Sequence, residues 1–129
     1  MNYTYFLANA SLTLRVLNYL VTVSPFPIVR VTVIHQANGW IIRITTSHVI
    51  SRDKDLNFRA FLSELGTVYR GDMKIDMVFC SLDMGDKPID VMRNYQVAIV
   101  SHGSPDIADV EDFRQQISQG LGYCPETLT

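Results

Sequence analysis

Charge and cysteine are both scarce in this chain, and its basic residues never cluster. Only 19% of the 129 residues are charged, against about a quarter in an average globular domain. The eleven Lys and Arg are scattered without a run and, set against thirteen acidic residues, leave a net charge of −2. That balance exerts no pull toward nucleic acid or an anionic membrane, and neither is expected as a partner. The two cysteines, Cys80 and Cys124, are too few and too far apart for a disulfide framework or a Cys-x-x-Cys motif, so a reducing, cytoplasmic setting is the expectation. The apolar N-terminus, MNYTYFLANASLTLRVLNYLV, has no basic residue at its opening and is interrupted by Asn9, Arg15 and Asn18, which makes it part of the fold rather than a targeting or membrane segment.

What the chain does have is apolar content, 47% of its residues. At this length it fits one domain, residues 1–129 with a loose tail at 121–129, able to bury about two-thirds of its unfolded surface without staples. The clearest local signal lies at Ile28–Thr46, two β-branched runs around Asn38-Gly39. Asn and Gly tolerate the positive φ of a type I′ turn, so the stretch predicts a β-hairpin. With Asn38 and Gly39 as the loop, Ala37 faces Trp40, His35 faces Ile42, Val33 faces Ile44 and Val31 faces Thr46. One side then carries Val31, Val33, His35, Ala37, Trp40, Ile42 and Ile44, a core face. The other carries Arg30, Thr32, Ile34, Gln36, Ile41, Arg43 and Thr45, a largely wet one.

Before the hairpin, Leu12, Val16, Leu20 and Val23 suit a helix capped by Ser11, whereas Leu12, Leu14 and Val16 suit a strand; a helix is the expectation, and Pro25 and Pro27 end the element. Tyr3, Tyr5 and Phe6 fit a strand, a helical turn or a packed arm. After it, Val49 and Ile50 suggest a short strand or a bend. Asp55 then caps a helix with a Phe58, Phe61, Leu62 and Leu65 stripe, stopped at Gly66 and laid on the core face. Met73, Ile75, Met77 and Phe79 alternate with Lys74, Asp76, Val78 and Cys80, which predicts a strand over 73–82. A loop follows at 83–88, Ile89–Arg93 stays ambiguous, and Tyr95–Ser101 alternates as another strand. Ser104-Pro105, with Asp106 and Asp109, opens a final helix whose stripe is Ile107, Val110, Phe113 and Ile117. The sum is an α+β fold, one antiparallel sheet of four to five strands with helices packed on it, in the order α-β-β-(β)-α-β-β-α. In that order of elements the chain resembles the chaperone-like domains of bacterial type III secretion, which are small, acidic and dimeric. The resemblance implies an adaptor-type dimer.

No chemical constellation reaches motif strength. His102-Gly103-Ser104-Pro105-Asp106 sits where a strand meets a helix, but its glycine spacing fits neither a P-loop nor a dinucleotide fingerprint, and its aspartates would repel an anion. Cys80 and His102 lie near the ends of what could be neighbouring strands, so a thiolate and imidazole pair is a minority reading against a buried cysteine. Three histidines without ligand spacing argue against structural zinc, and Asp83, Asp86 and Asp90 lack the spacing of a calcium loop, so no metal or cofactor is expected. Arg30, Arg43 and Lys74 on the wet face lack the exposed aromatics an RNA platform needs.

Ile34 and Ile41, diagonal neighbours on the wet face, are the one anomaly. Flanked by Arg30, Gln36 and Arg43, they form either a modest protein contact or a patch covered by another layer of the chain, with the N-terminal segment as first candidate. The leading expectation is therefore a non-enzymatic interaction or regulatory module, a homodimer or a binder of another protein. A small-ligand domain with a pocket lined by Trp40, His35, Tyr95 and methionines is the second. A Cys80/His102 enzyme is the third.

Overall fold

The alternating β-branched runs form strands and the interrupted ones form helices, but not always where the local pattern predicts. In the computed structural model, which describes residues 1–22, 27–36, 38–103, 112 and 115, nine elements follow one another. They are β1 (Asn2–Leu7), α1 (Ala10–Thr22), β2 (Ile28–Gln36), β3 (Gly39–Thr46), α2 (Arg52–Leu65), β4 (Thr67–Val68), α3 (Met73–Asp83), α4 (Pro88–Tyr95) and β5 (Ala98–Gly103). The strands make one sheet in the order β4-β1-β3-β2-β5, with every pairing antiparallel. The α+β class and the single antiparallel sheet are as expected. The order of elements is not, so the likeness to secretion chaperones loses the feature on which it rested. The predicted helix from Ser104 and the tail lie outside the described residues.

The hairpin forms with its faces as read but its register moved by two residues. His35 pairs with Trp40, Val33 with Ile42 and Val31 with Ile44, and the ladder closes at Gln36 and Gly39. A shift of two preserves the alternation of side chains, so inward residues stay inward. Gly39 is spent inside the ladder rather than in the loop. Its φ is +149°, and a Cβ there would collide with the ring of Phe6 and approach the Leu7 carbonyl oxygen to 2.8 Å. The neighbouring strand β1 therefore fixes where the hairpin turns.

On the first face of the sheet α1 and α2 cover Tyr3, Tyr5, Leu7, Val31, Val33, Trp40, Ile42 and Ile44. Asn9, not Ser11, caps α1, its Oδ1 accepting from Leu12 N at 2.9 Å. The two helices are zipped together by Tyr19 stacked on Phe61, with ring centroids 4.0 Å apart. Ser51 rather than Asp55 stands at the start of α2. Asp55 instead accepts a 2.6 Å hydrogen bond from Tyr3 Oη and a two-point contact from Arg59 Nε at 3.1 Å, tying α2 to β1. Gly66 ends α2 in an extended conformation, φ −157°. A glycine is required there because a Cβ would overlap the Phe6 carbonyl.

The second face is where expectation fails most. Residues 73–82 are helical, and Val49 and Ile50 join no strand. Asp72 caps α3, its side chain accepting from Lys74 N and Ile75 N. Ile75, Val78, Phe79 and Leu82 then fall at helical spacing and are buried. The alternation of Met73, Ile75, Met77 and Phe79 was genuine, but a second, 3.6-residue period ran through the same stretch and met a partner surface. Among the described residues no helix is long and apolar enough to cross a membrane.

Candidate functional site

Across the second face the strands place side chains in rows. One row is apolar: Phe6, Ile41, Ile34 and Ile99 stand opposite one another on β1, β3, β2 and β5. It is roofed by Ile75, Val78, Phe79, Leu82 and Val91 of α3 and α4. Ile34 and Ile41 are 0% and 2% exposed, direct rather than diagonal partners. The expected contact patch is therefore internal. It is covered by helices from later in the chain, not by the N-terminal segment, which enters the sheet itself.

The next row is polar. Thr4, Arg43, Thr32 and His102 face one another across β1, β3, β2 and β5, and beyond them Asn2, Thr45 and Arg30 form a shorter row. Arg43 is only 6% exposed. Its guanidinium lies 4.3 Å above the Phe79 ring and donates twice to Asp83 of α3, Nη2 to Oδ1 at 2.5 Å and Nη1 to Oδ2 at 3.0 Å. This fork is the strong, directional form of an arginine–carboxylate pair. Arg43 Nε is buried without a hydrogen-bond partner among the described residues. Arg30 Nη1 stands 3.8 Å from the same Asp83 oxygen, an ion pair beyond hydrogen-bond reach. Thr32 Oγ1 and His102 Nδ1 are 2.7 Å apart. Burial, reinforced by the charges of Arg30 and Arg43 and opposed by Asp83, holds His102 below the ordinary histidine value.

On the β1 side of the Arg43–Asp83 pair lies an open cleft of about 370 Å³, lined by Asn2, Thr4, Arg43, Tyr69, Asp76, Phe79, Cys80 and Asp83. None of the residues expected to line a ligand pocket belongs to it. His35 and Trp40 do meet, their rings edge-to-face with centroids 4.5 Å apart, and burial lowers the His35 pKa. They sit on the first face, however, whereas Tyr95 packs against the cluster on the second and its hydroxyl lies 3.3 Å from Ser81 Oγ. The sheet separates them. Cys80 is exposed on α3 rather than buried in a strand, and no hydrogen bond joins it to His102 among the described residues. Gln36 is half-buried beside the hairpin turn. Among the described residues no three His, Cys, Asp or Glu side chains converge as metal ligands.

Two features escaped the sequence reading. Asp83, which the local pattern places in a loop, clamps a buried arginine, a pairing 40 residues apart that nothing local announces. The outward side of α3 carries Met73, Met77, Cys80 and Met84 at i, i+4, i+7 and i+11. Met84, one residue past the helix, keeps right-handed geometry and donates its N–H to Cys80 O. Exposure is 81% at Met73, 48% at Met77 and 79% at Met84. That spacing was legible once a helix was entertained. No protein-family model, curated protein or solved structure matches the chain.

Proposed function

We propose that the chain is a non-enzymatic protein-interaction module that acts as a dimer, with the outward side of α3 as the surface on which a second copy docks. The observation that carries this reading is the methionine stripe. Four apolar side chains line the solvent side of a helix whose opposite side is sunk in the core. Methionine is flexible and polarizable, suited to contacts that must adapt, and a continuous apolar strip on a surface helix is rare without a partner.

The spacing also favours self-docking. The intervals 4, 3 and 4 read the same in both directions. An antiparallel copy related by a twofold axis therefore sets Met73 against Met84 and Met77 against Cys80, apolar on apolar throughout. The stripe itself holds no charge to desolvate. At a rise of about 1.5 Å per residue it is short, roughly 16 Å long, so the interface falls below the standard size of about 800 Å² per partner and the dimer is concentration-dependent.

Sedimentation equilibrium from micromolar to millimolar protein tests this. The wild type should pass from monomer to dimer, and the M73D/M77D variant should stay monomeric with its melting temperature unchanged, since both side chains already face solvent. A wild type that remains monomeric at millimolar concentration, or a dimer that survives both substitutions, refutes the docking surface.

A further inference from the structure

We propose that the polar row of the second face is an oxyanion subsite, taking the carboxylate or phosphate group of a ligand between Arg30 and His102, beside the Arg43–Asp83 pair. This site is separate from the α3 stripe and does not depend on it. The argument begins with charge. Two guanidiniums, Arg30 and Arg43, approach the same Asp83 oxygen, which gathers positive charge on this row in a chain whose net charge is −2.

The donors are also unequally used. Asp83 engages both terminal nitrogens of Arg43, while Arg30 stands 3.8 Å away and makes no hydrogen bond to it. Among the described residues the Arg30 guanidinium therefore makes this ion pair but no hydrogen bond, and its side chain is one-third exposed. His102 offers a second donor. Its Nδ1 is taken by the Thr32 hydroxyl, and in the tautomer where that hydroxyl donates, the proton sits on Nε2, free for an incoming oxygen. Thr32 is fully buried, so it orients the imidazole and does not itself reach a ligand.

The scaffold is preorganised. Arg43 is pinned by the Phe79 ring beneath it and by the Asp83 fork, which keeps a fixed positive charge in the floor without letting it collapse onto the ligand. Asp83, half-exposed at the end of α3, occupies the place where an outside carboxylate or phosphate oxygen would meet these arginines. A bound anion joins it on the Arg30 side, adding negative charge beside the imidazole, so binding raises the His102 pKa.

The test titrates the full chain with inorganic phosphate and, in a separate arm, with acetate, each against sodium chloride of matched ionic strength. Thermal melts and NMR of the imidazole nitrogens are the readouts, with His102 assigned through His102→Asn. A specific site gives a saturable rise in melting temperature beyond the salt control and an upward move of the His102 titration. Both should vanish in Arg30→Met and persist in Arg15→Met, which removes an exposed arginine from α1 on the opposite face. Saturation by phosphate alone assigns a phosphate ligand, and saturation by acetate alone a carboxylate. An effect no larger than the salt control with both anions, or one unchanged in Arg30→Met, overturns the proposal.

Discussion

The Arg43–Asp83 pair makes an asymmetric prediction. Its members differ in exposure: the Arg43 side chain is 7% accessible and the Asp83 side chain 50%. Deleting Asp83 with Asp83→Ala strands a guanidinium in a nearly closed environment, with Arg30 close by as a like charge. Removing one partner of a buried pair costs about 3–5 kcal/mol, and because the neighbouring cleft lets water approach, the lower end, about 3 kcal/mol, applies here. Deleting Arg43 with Arg43→Met leaves a carboxylate that water already solvates, while the methionine refills the space over Phe79. The loss is then the screened attraction and the cation–π contact, about 1 kcal/mol in all.

For a chain of this size each kcal/mol moves the melting temperature by about 4 °C, so the two variants should melt about 12 °C and about 4 °C below the wild type. The double variant should lie near Arg43→Met, because the stranded charge that makes Asp83→Ala costly is gone. Urea unfolding followed by circular dichroism gives the free energies directly. If Asp83→Ala proves no more destabilising than Arg43→Met, the pair is not asymmetric in burial and the account of the polar row fails.

Two further outcomes follow from other parts of the fold. Gly66→Ala should cost about 1–3 kcal/mol, the range for overpacking, because the added Cβ overlaps the Phe6 carbonyl although the extended backbone suits any residue; a neutral result in urea unfolding would mean that α2 and β1 are farther apart than described. Burial, helped by hydrogen bonds to Asp55 and Asp76 respectively, pushes the phenols of Tyr3 and Tyr69 up to about 12. A raised phenol pKa contributes stability that is complete below the unfolded value of about 10 and disappears as pH climbs toward 12. Absorbance titration at alkaline pH should therefore show that Tyr3→Phe and Tyr69→Phe each remove a component titrating near 12. Loss of a component at the ordinary phenol value, with the fold intact by circular dichroism, would contradict it.

Several features of this protein were present in the sequence alone because they depend only on neighbours along the chain. The two faces of the hairpin are of this kind: alternation fixes which side chains share a side, and even the two-residue slip imposed by packing of Gly39 against Phe6 left that division intact. So is the stripe of α2, where Phe58, Leu62 and Leu65 fit one period only. Other features belong to long-range packing. Residues 73–82 satisfied a strand and a helix equally well, and the choice went to the helix because Ile75, Val78, Phe79 and Leu82 found the apolar row of Ile34, Ile41 and Ile99 to cover. That same event turned a face expected to be wet into a second core and exposed Met73 and Met77. It also brought Asp83 onto Arg43 across 40 residues. A local pattern states which side chains go together, but only the sheet and the helices meeting in space decide which side of each element is shielded from water.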